Sequence, residues 1–258
     1  MPFTFSHPAI ILPLRKFHKY KFSITGLVLG SITPDFEAFI TFNDHKQYSH
    51  TWIGILWFDL PITILYSFVF HNITRNMLID NLPDYLKQKF YRFKYFNWNS
   101  AFKNNYSIVI LSMLIGITSH LIWDSITHLN FANPHGFDSE TNTTKILISD
   151  ILQYSSSVAG LIACCITIYR IPSNPKQCTL ANSGTNGNSK NYSDLLYWIQ
   201  VAIFDILVVY MALTRLKYAA SPIFIINAMI SGLLVAITFI PIIHKVLLPQ
   251  KSKLIPYE

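Results

Sequence analysis

The chain carries little charge for its length. Of its 258 residues, 13% are Asp, Glu, Lys or Arg, whereas 51% are hydrophobic. Soluble domains average about 25% charged residues, so this composition excludes an ordinary soluble enzyme. Cysteine is also scarce, with three residues, of which Cys164 and Cys165 are adjacent. That scarcity excludes a disulfide framework and a cysteine-based metal site.

Glycine is infrequent too, with nine residues and no cluster. We therefore predict neither a phosphate-cradling loop nor a glycine-packed helix pair. A secretory signal is also missing, because the apolar stretch Ala9–Leu14 is short and its basic cluster follows it. The first membrane segment is expected to act as an uncleaved insertion signal.

The apolar residues gather in blocks near residues 22–42, 52–72, 106–128, 150–170, 195–214 and 222–244. Each block approaches the roughly 20 residues that a helix needs to cross a bilayer, and none alternates as a strand would. The sequence therefore predicts an all-α, polytopic integral membrane protein with about six transmembrane helices. Thr33, Pro34 and Asp35 form a helix-start signal inside the first block, so we predict that the first helix is broken there.

Basic residues are distributed unevenly between the predicted loops. Sixteen of the 20 Lys and Arg residues lie in the N-terminus, the C-terminus and the loops 73–105 and 170–194. This asymmetry is typical of the positive-inside rule, and it predicts that both termini are cytoplasmic. We expect a bacterial inner membrane location. The net charge of +7 is thereby explained without nucleic acid, which we exclude as a partner.

Three regions differ in composition. Residues 1–170 form the predicted membrane domain that bears the polar groups, residues 171–194 a disordered cytoplasmic linker, and residues 195–258 a C-terminal helix pair and tail. Loop 73–105 interleaves basic and aromatic residues. Such a segment lies either on an anionic leaflet or in solvent as an ordinary loop, and both interpretations stay open.

The most informative motif is ITSHLIWDSITH, residues 117–128, in which His120, Asp124 and His128 recur every four residues. These three residues, the polar strip, share one helix face. Ionisable groups in a membrane helix are costly and indicate function, and imidazole and carboxylate are zinc ligands. His120 and His128 are about 12 Å apart along the axis, too far to share one ion. We therefore predict two ions bridged by Asp124, the alternative being a hydrogen-bonded strip between helices.

A second polar group surrounds the predicted helix break. Asp35 and Glu37 lie at the junction in GSITPDFEAF, and His50 lies in the short loop before the next span. The predicted topology places this loop on the same side as the outer end of the polar strip, so the two groups could converge. Asp35 could instead be only a helix cap. His7 is either a further ligand or simply a polar residue. As a ligand, His7 would need the N-terminal segment to re-enter the membrane beside Asp35, because the positive-inside rule places the N-terminus on the cytoplasmic side.

The motifs MPFTFSHPAIILPL, GSITPDFEAF, HTWIGILWFDLP, SHLIWDSITH and ILQYSSSVAG resemble an uncharacterised bacterial family of polytopic membrane proteins, known as a domain of unknown function. The resemblance covers roughly residues 1–165. It implies no assigned activity.

A more distant similarity links the chain to inner-membrane metal-dependent hydrolases and zinc-dependent phospholipase C. The phospholipase's ligands run in chain order as His, Asp, His, a His-x-x-x-Asp pair and a further His. The same order here is His7, Asp35, His50, His120, Asp124 and His128. The phospholipase's later His-x-x-x-Glu pair is missing, so the resemblance implies at most a partial, two-metal site.

Two functions fit these observations. The first is a membrane-embedded metal-dependent hydrolase that acts on a phosphoester of a membrane lipid or a lipid-linked compound. Its cofactor would be a divalent metal, which we take to be zinc. Its first ion would be held by Asp35, His50, His120 and Asp124, its second by Asp124, His128 and His7, and Glu37 would be the catalytic base. The alternative is a non-enzymatic transporter or assembly factor that uses the polar strip for metal or proton passage. A pocket open on one side favours the first function, and a path across the bilayer favours the second.

Overall fold

A computed structural model describes residues 3–16, 22–42, 47–127, 142–175, 187–215 and 222–247. Within these ranges the secondary structure is helical and contains no strand. Five helices are long and apolar enough to cross a membrane. Their candidate spans are Ile55–Asp80 (helix α4), Trp98–Thr127 (helix α6), Leu147–Tyr169, Ser193–Thr214 and Phe224–Val246. The predicted all-α, polytopic membrane fold is therefore confirmed.

The first apolar block is broken, as its sequence predicts. Helix α2 (Ile24–Ile32) is followed by a 3₁₀ turn, Thr33–Asp35, and then by the short helix α3 (Phe36–Thr41). The Thr33 hydroxyl donates to the carbonyl of Leu29 at 2.6 Å, so it satisfies the end of α2 instead of capping α3. Neither α2 nor α3 reaches the length of a span. The described residues therefore contain five span-length helices, where the sequence predicts about six.

The chain divides into two compact units. The first contains Met1–Phe68 and Asn97–Pro172, and the second contains Val69–Phe96 and Ser173–Glu258. The first unit holds helix α1 (Thr4–Leu14), α2, α3, α6 and α7 (Asn142–Tyr169). The second holds α5 (Asp84–Phe90), α8 (Gly187–Arg215) and α9 (Pro222–Leu247), and α4 begins in the first unit and ends in the second.

The linker predicted over residues 171–194 is described only in part. Residues 176–186 lie outside the described ranges, and α8 already begins at Gly187. The predicted division of the chain at this linker stays a prediction.

Close backbone contact between α2 and α6 organises the first unit. A Cβ atom added at Gly30 would lie 2.4 Å from the Met113 carbonyl oxygen, and one added at Gly116 would lie 2.4 Å from the Leu27 carbonyl oxygen. Gly26, one turn before Gly30, lies against α6 as well. Small residues let membrane helices approach to this distance. The expectation that no helix pair packs through glycine is therefore wrong, because Gly26 and Gly30 have the spacing of such a motif.

Apolar side chains fill the rest of this unit. Trp98, Val109 and Met113 of α6 form one buried cluster, against which α4 places Leu60 and Phe68. A second cluster joins Ile55 to Ile117 and Leu121. Helix α7 instead exposes apolar residues along its length, among them Leu147, Ile151, Val158 and Ile162. Exposed apolar side chains on a span-length helix suit contact with lipid tails.

In the second unit, α8 and α9 pack through Tyr197 and Val201 against Ala236 and Ile240. The indole of Trp198 donates to the carbonyl of Asn81 at 2.6 Å, at the turn after α4. This unit is thus held by apolar packing and by a polar contact at a helix end.

Candidate metal centre

Four ligand-type side chains from different parts of the sequence meet in the first unit. They are Asp35 of the 3₁₀ turn, His50 of the loop before α4, and His120 and Asp124 of α6. One donor atom from each lies within 4.8 Å of every other, so the four side chains are close enough together to hold one ion. The sequence assigned these four residues to the first ion, and the structure brings them together.

His120 is oriented by the backbone of α2. Its Nδ1 lies 2.8 Å from the carbonyl oxygen of Ser31, so this nitrogen carries the proton and donates it. Its Nε2 points towards Asp35 Oδ1 and Asp124 Oδ2, each 3.5 Å away, and in a neutral ring this nitrogen would present its lone pair to a metal. A histidine that ligates a metal is commonly held in this tautomer by a hydrogen bond from its other nitrogen.

The two carboxylates are buried within the unit. Asp35 is 0% exposed and Asp124 is 5% exposed. The Thr4 hydroxyl donates to Asp35 Oδ2 at 2.6 Å, which leaves Asp35 Oδ1 facing the histidines. The Asp35 side chain makes no capping hydrogen bond to α3, so the alternative of a mere helix cap is not what the structure shows. Two carboxylates in so small a buried volume repel each other unless positive charge lies between them.

His50 is the most accessible of the four residues, with 21% of its side chain exposed. Its Nε2 lies 3.2 Å from Asp124 Oδ2 and 4.0 Å from Asp35 Oδ1. Its Nδ1 lies 3.0 Å from the Ser49 hydroxyl, which fixes the ring from the other side. His50 is therefore the residue at which the cluster is accessible from outside.

Glu37 holds the loop that carries His50. Its two oxygens accept hydrogen bonds of 2.7–3.2 Å from the backbone N–H groups of residues 47–49. It lies outside the five candidate spans. Burial alone would raise the pKa of its carboxyl, but these backbone N–H groups hold the pKa below its usual value. Its predicted role as catalytic base stays a prediction, whereas its structural contacts are those of a residue that positions a loop.

His7 reaches the cluster from the N-terminal side. It is 1% exposed, its ring stacks on the ring of His120 with centroids 3.8 Å apart, and its Nε2 lies 3.6 Å from Asp124 Oδ1. Asp124 thus presents one oxygen to His7 and the other to His50 and His120. His128, the remaining predicted ligand, lies outside the described residues.

The separations in the cluster are compatible with a metal, and one of them, the 3.2 Å between His50 Nε2 and Asp124 Oδ2, is also a hydrogen bond. Between the imidazole nitrogens and carboxylate oxygens of the four residues the separations are 3.2–4.0 Å. Ligands about 2.1 Å from a tetrahedral ion lie about 3.4 Å from one another, whereas charged hydrogen bonds are shorter, about 2.7–2.9 Å. His120 Nε2, though buried, makes no hydrogen bond among the described residues. The donor set and its spacing therefore suit one divalent cation.

Several residues that build the centre escape sequence analysis. Thr4 and Ser49 orient two of the ligands, and Ser31 contributes only a backbone carbonyl. No motif indicates such contacts, although Thr4 lies in the N-terminal segment that carries His7. Asp59 is a further buried acid of this unit, 0% exposed in a π-helical turn of α4.

Comparison with known families gives one match, which covers residues 1–247. The chain belongs to the DUF4184 family, a domain of unknown function. Neither the curated proteins nor the solved structures contain a significant match to the chain. The resemblance to an uncharacterised family is thus confirmed, while the distant similarity to hydrolases has no named relative to support it and rests on the residues alone.

Proposed function

We propose that this chain is a membrane-embedded, metal-dependent hydrolase that acts on a phosphoester of a lipid or lipid-linked compound. The observation that carries the proposal is the convergence of Asp35, His50, His120 and Asp124 inside a helix bundle. Two acids and two histidines are costly to bury in a membrane protein without a compensating ion.

The residues present would divide the work of holding and orienting a cation. Asp35 and Asp124 would supply the charge that fixes a divalent ion, and His120, locked by Ser31, would supply a neutral nitrogen. His50 lies at the accessible edge and would border the substrate. A divalent ion in such a site supplies positive charge that stabilises a phosphoryl oxygen and favours ionisation of water.

A second ion is part of this proposal. Asp124 Oδ1 is buried, makes no hydrogen bond among the described residues, and faces His7 at 3.6 Å. A carboxylate that offers its two oxygens to two groups of histidines is the arrangement of a bridging ligand. The choice of a phosphoester as the substrate rests on this proposed pair of ions. Two-metal sites stabilise both the attacking and the leaving oxygen when a phosphoester is hydrolysed.

The side chains beside His50 support a lipid substrate. Trp52 and Ile53 are 71% and 78% exposed, and they immediately precede the span α4. Exposed aromatic residues at the end of a span are typical of the headgroup level of a bilayer. The edge of the cluster at His50 would then open where the phosphate groups of lipids lie.

The described packing favours a pocket over a path across the bilayer. Beyond His120, most of the residues that α6 buries towards its start are apolar, among them Ile117, Met113 and Val109, and the polar exception is Ser112. Packing that is mostly apolar would hinder the passage of a proton or a cation beyond His120. A transporter that uses the polar strip is therefore the weaker candidate.

The test is metal analysis and phosphoester hydrolysis by the full chain in lipid nanodiscs. We expect bound divalent metal, release of phosphate from a phospholipid or lipid-linked phosphate, and loss of both in Asp35→Asn. Asp84→Asn, which neutralises an exposed acid on α5, is the matched control and should leave both unchanged. Metal-free wild-type protein, or full hydrolysis by Asp35→Asn, would overturn the proposal.

A further inference from the structure

The basic, aromatic segment after α4 forms a defined structure of its own. The chain turns at Asn81–Pro83, continues as α5 (Asp84–Phe90) and then as a 3₁₀ helix, Tyr91–Tyr95. We call residues 84–96 the platform. It belongs to the second unit and contributes nothing to the candidate metal centre.

The platform is tied to the last turns of α4 by buried polar contacts. Arg75, only 7% exposed, donates to the carbonyl oxygens of Phe96 at 2.7 Å and Lys94 at 3.0 Å. The Lys94 ammonium pairs with the Asp80 carboxylate at 2.5 and 2.7 Å, and Lys87 donates to the Asp80 carbonyl. Because α4 ends at Asp80, these contacts hold the platform at the level where the span ends.

The outward side of the platform is aromatic. Tyr85, Phe93, Tyr95 and Phe96 are 55%, 38%, 69% and 42% exposed. An ordinary solvated loop seldom exposes four rings together, whereas rings at the end of a span suit the bilayer interface, where one part of the side chain is apolar and the other polar.

Positive charge accompanies these rings. The platform contains four basic residues and one acid. Lys87 and Lys94 are engaged by Asp80, and Lys89 lies over the Tyr85 ring at 4.8 Å. Arg92 is exposed and lies 4.9 Å from the centre of the Phe93 ring, so its guanidinium faces outward among the aromatic side chains.

We propose that the platform lies on the headgroup region of the bilayer and binds an anionic phospholipid, with Arg92 contacting the lipid phosphate. The exposed rings enter the bilayer interface. Because Arg75 and Asp80 already fix the backbone of the platform, the platform needs no further ordering when it contacts the bilayer. Guanidinium groups suit phosphate because they offer several donors in one plane. The inference is independent of the proposed hydrolase, since none of these residues touches the candidate metal centre.

The first experiment measures the depth of the platform. A nitroxide is placed at Tyr95→Cys in a chain whose Cys164, Cys165 and Cys178 are replaced by serine, and the protein is reconstituted in nanodiscs. We expect the label to collide more with dissolved oxygen than with an aqueous nickel chelate, as a label at Ile206→Cys on the exposed side of α8 should. A label at 95 that collides mainly with the nickel chelate would overturn the proposal.

The second experiment tests the lipid charge. Nanodiscs are made with phosphatidylcholine alone or with phosphatidylglycerol, and the phosphatidylglycerol that stays with the detergent-extracted protein is counted by native mass spectrometry. Arg92→Gln should lose this retained lipid, and Arg92→Lys, which keeps the charge, should restore part of it. Since Arg92 is exposed, neither substitution should unfold the chain. Equal retention by wild type and Arg92→Gln would also overturn the proposal.

Discussion

Replacing Asp124 with asparagine distinguishes two interpretations of the cluster: a metal centre, and a cluster held only by hydrogen bonds. Asp124 lies within 3.6 Å of three histidines, through Oδ2 for His50 and His120 and through Oδ1 for His7. Asparagine has almost the same shape and keeps one oxygen acceptor, but it carries no charge and is a poor ligand for a divalent ion. The substitution would therefore weaken the binding of a cation with little change in packing.

The two interpretations predict different losses in the free energy of unfolding, and they differ in whether the loss depends on added metal. If Asp124 only accepts hydrogen bonds, the substitution should cost about 1 kcal/mol, with or without added metal. If the cluster binds a cation, the native state gains about 2.7 kcal/mol when free metal is present at 100 times its dissociation constant. For a chain of this size that gain corresponds to roughly 5–10 °C in melting temperature.

The assay is thermal unfolding in detergent, with excess zinc or with a chelator. Wild-type protein should melt about 5–10 °C higher with zinc, and Asp124→Asn should melt at the same temperature in both conditions. Asp84→Asn should behave as wild type. Wild-type melting that does not respond to zinc or to the chelator would refute the metal reasoning.

Four further predictions follow from the same structure. His120→Ala and His128→Ala should each leave about one metal per chain and Asp124→Ala close to none, because eight residues separate the two histidines in the sequence, about 12 Å along a continuous helix; a single metal in the wild type would contradict the bridge. Glu37→Gln should weaken metal affinity by about 10–100-fold while the far-UV circular dichroism stays unchanged, since it loosens the loop that carries His50. Gly30→Ala should destabilise the chain by about 1–3 kcal/mol in chemical unfolding, whereas Leu111→Ala, at an exposed position of α6, should not. Single cysteines at positions 47 and 140 should label from outside intact cells, while those at 90 and 185 should not; labelling of position 90 would sink the predicted orientation.

The convergence of Asp35, His50, His120 and Asp124 was predictable because its signals are local. A repeat of four places His120 and Asp124 on one face of any helix, and Pro34 breaks α2 beside Asp35 whatever surrounds it. Their meeting with His50 needed only the order of the predicted spans. The contacts that orient these side chains were not predictable. A backbone carbonyl such as that of Ser31 is present in every residue type, so no sequence motif indicates it.

The number of spans was harder to predict, because a block of apolar residues does not show how its helix packs. The block near 22–42 has the composition of a span, yet it folds as α2, a 3₁₀ turn and α3. The packing of α2 on α6 depends on Gly26 and Gly30, a signal that is present in the sequence. Among the described residues, the number of apolar blocks thus exceeds the number of span-length helices, and the small residues within a block indicate how its helices pack.

Two short helices at the N-terminus bring His7 next to Asp124. Helix α1, Thr4–Leu14, is about 16 Å long and α2 is shorter, so neither spans about 30 Å of hydrocarbon alone. The Ser23 amide donates to Ser112 near the middle of α6, whereas Thr4 contacts Asp35 and His7 contacts Asp124. The chain thus leaves the cluster after His7, comes back to α6 at Ser112 and returns along α6 to Asp35. Two short helices that return to the same part of α6 in this way bring His7 and Asp35 together inside the first unit, and short or broken helices are tolerated in membrane proteins where they are buried in protein.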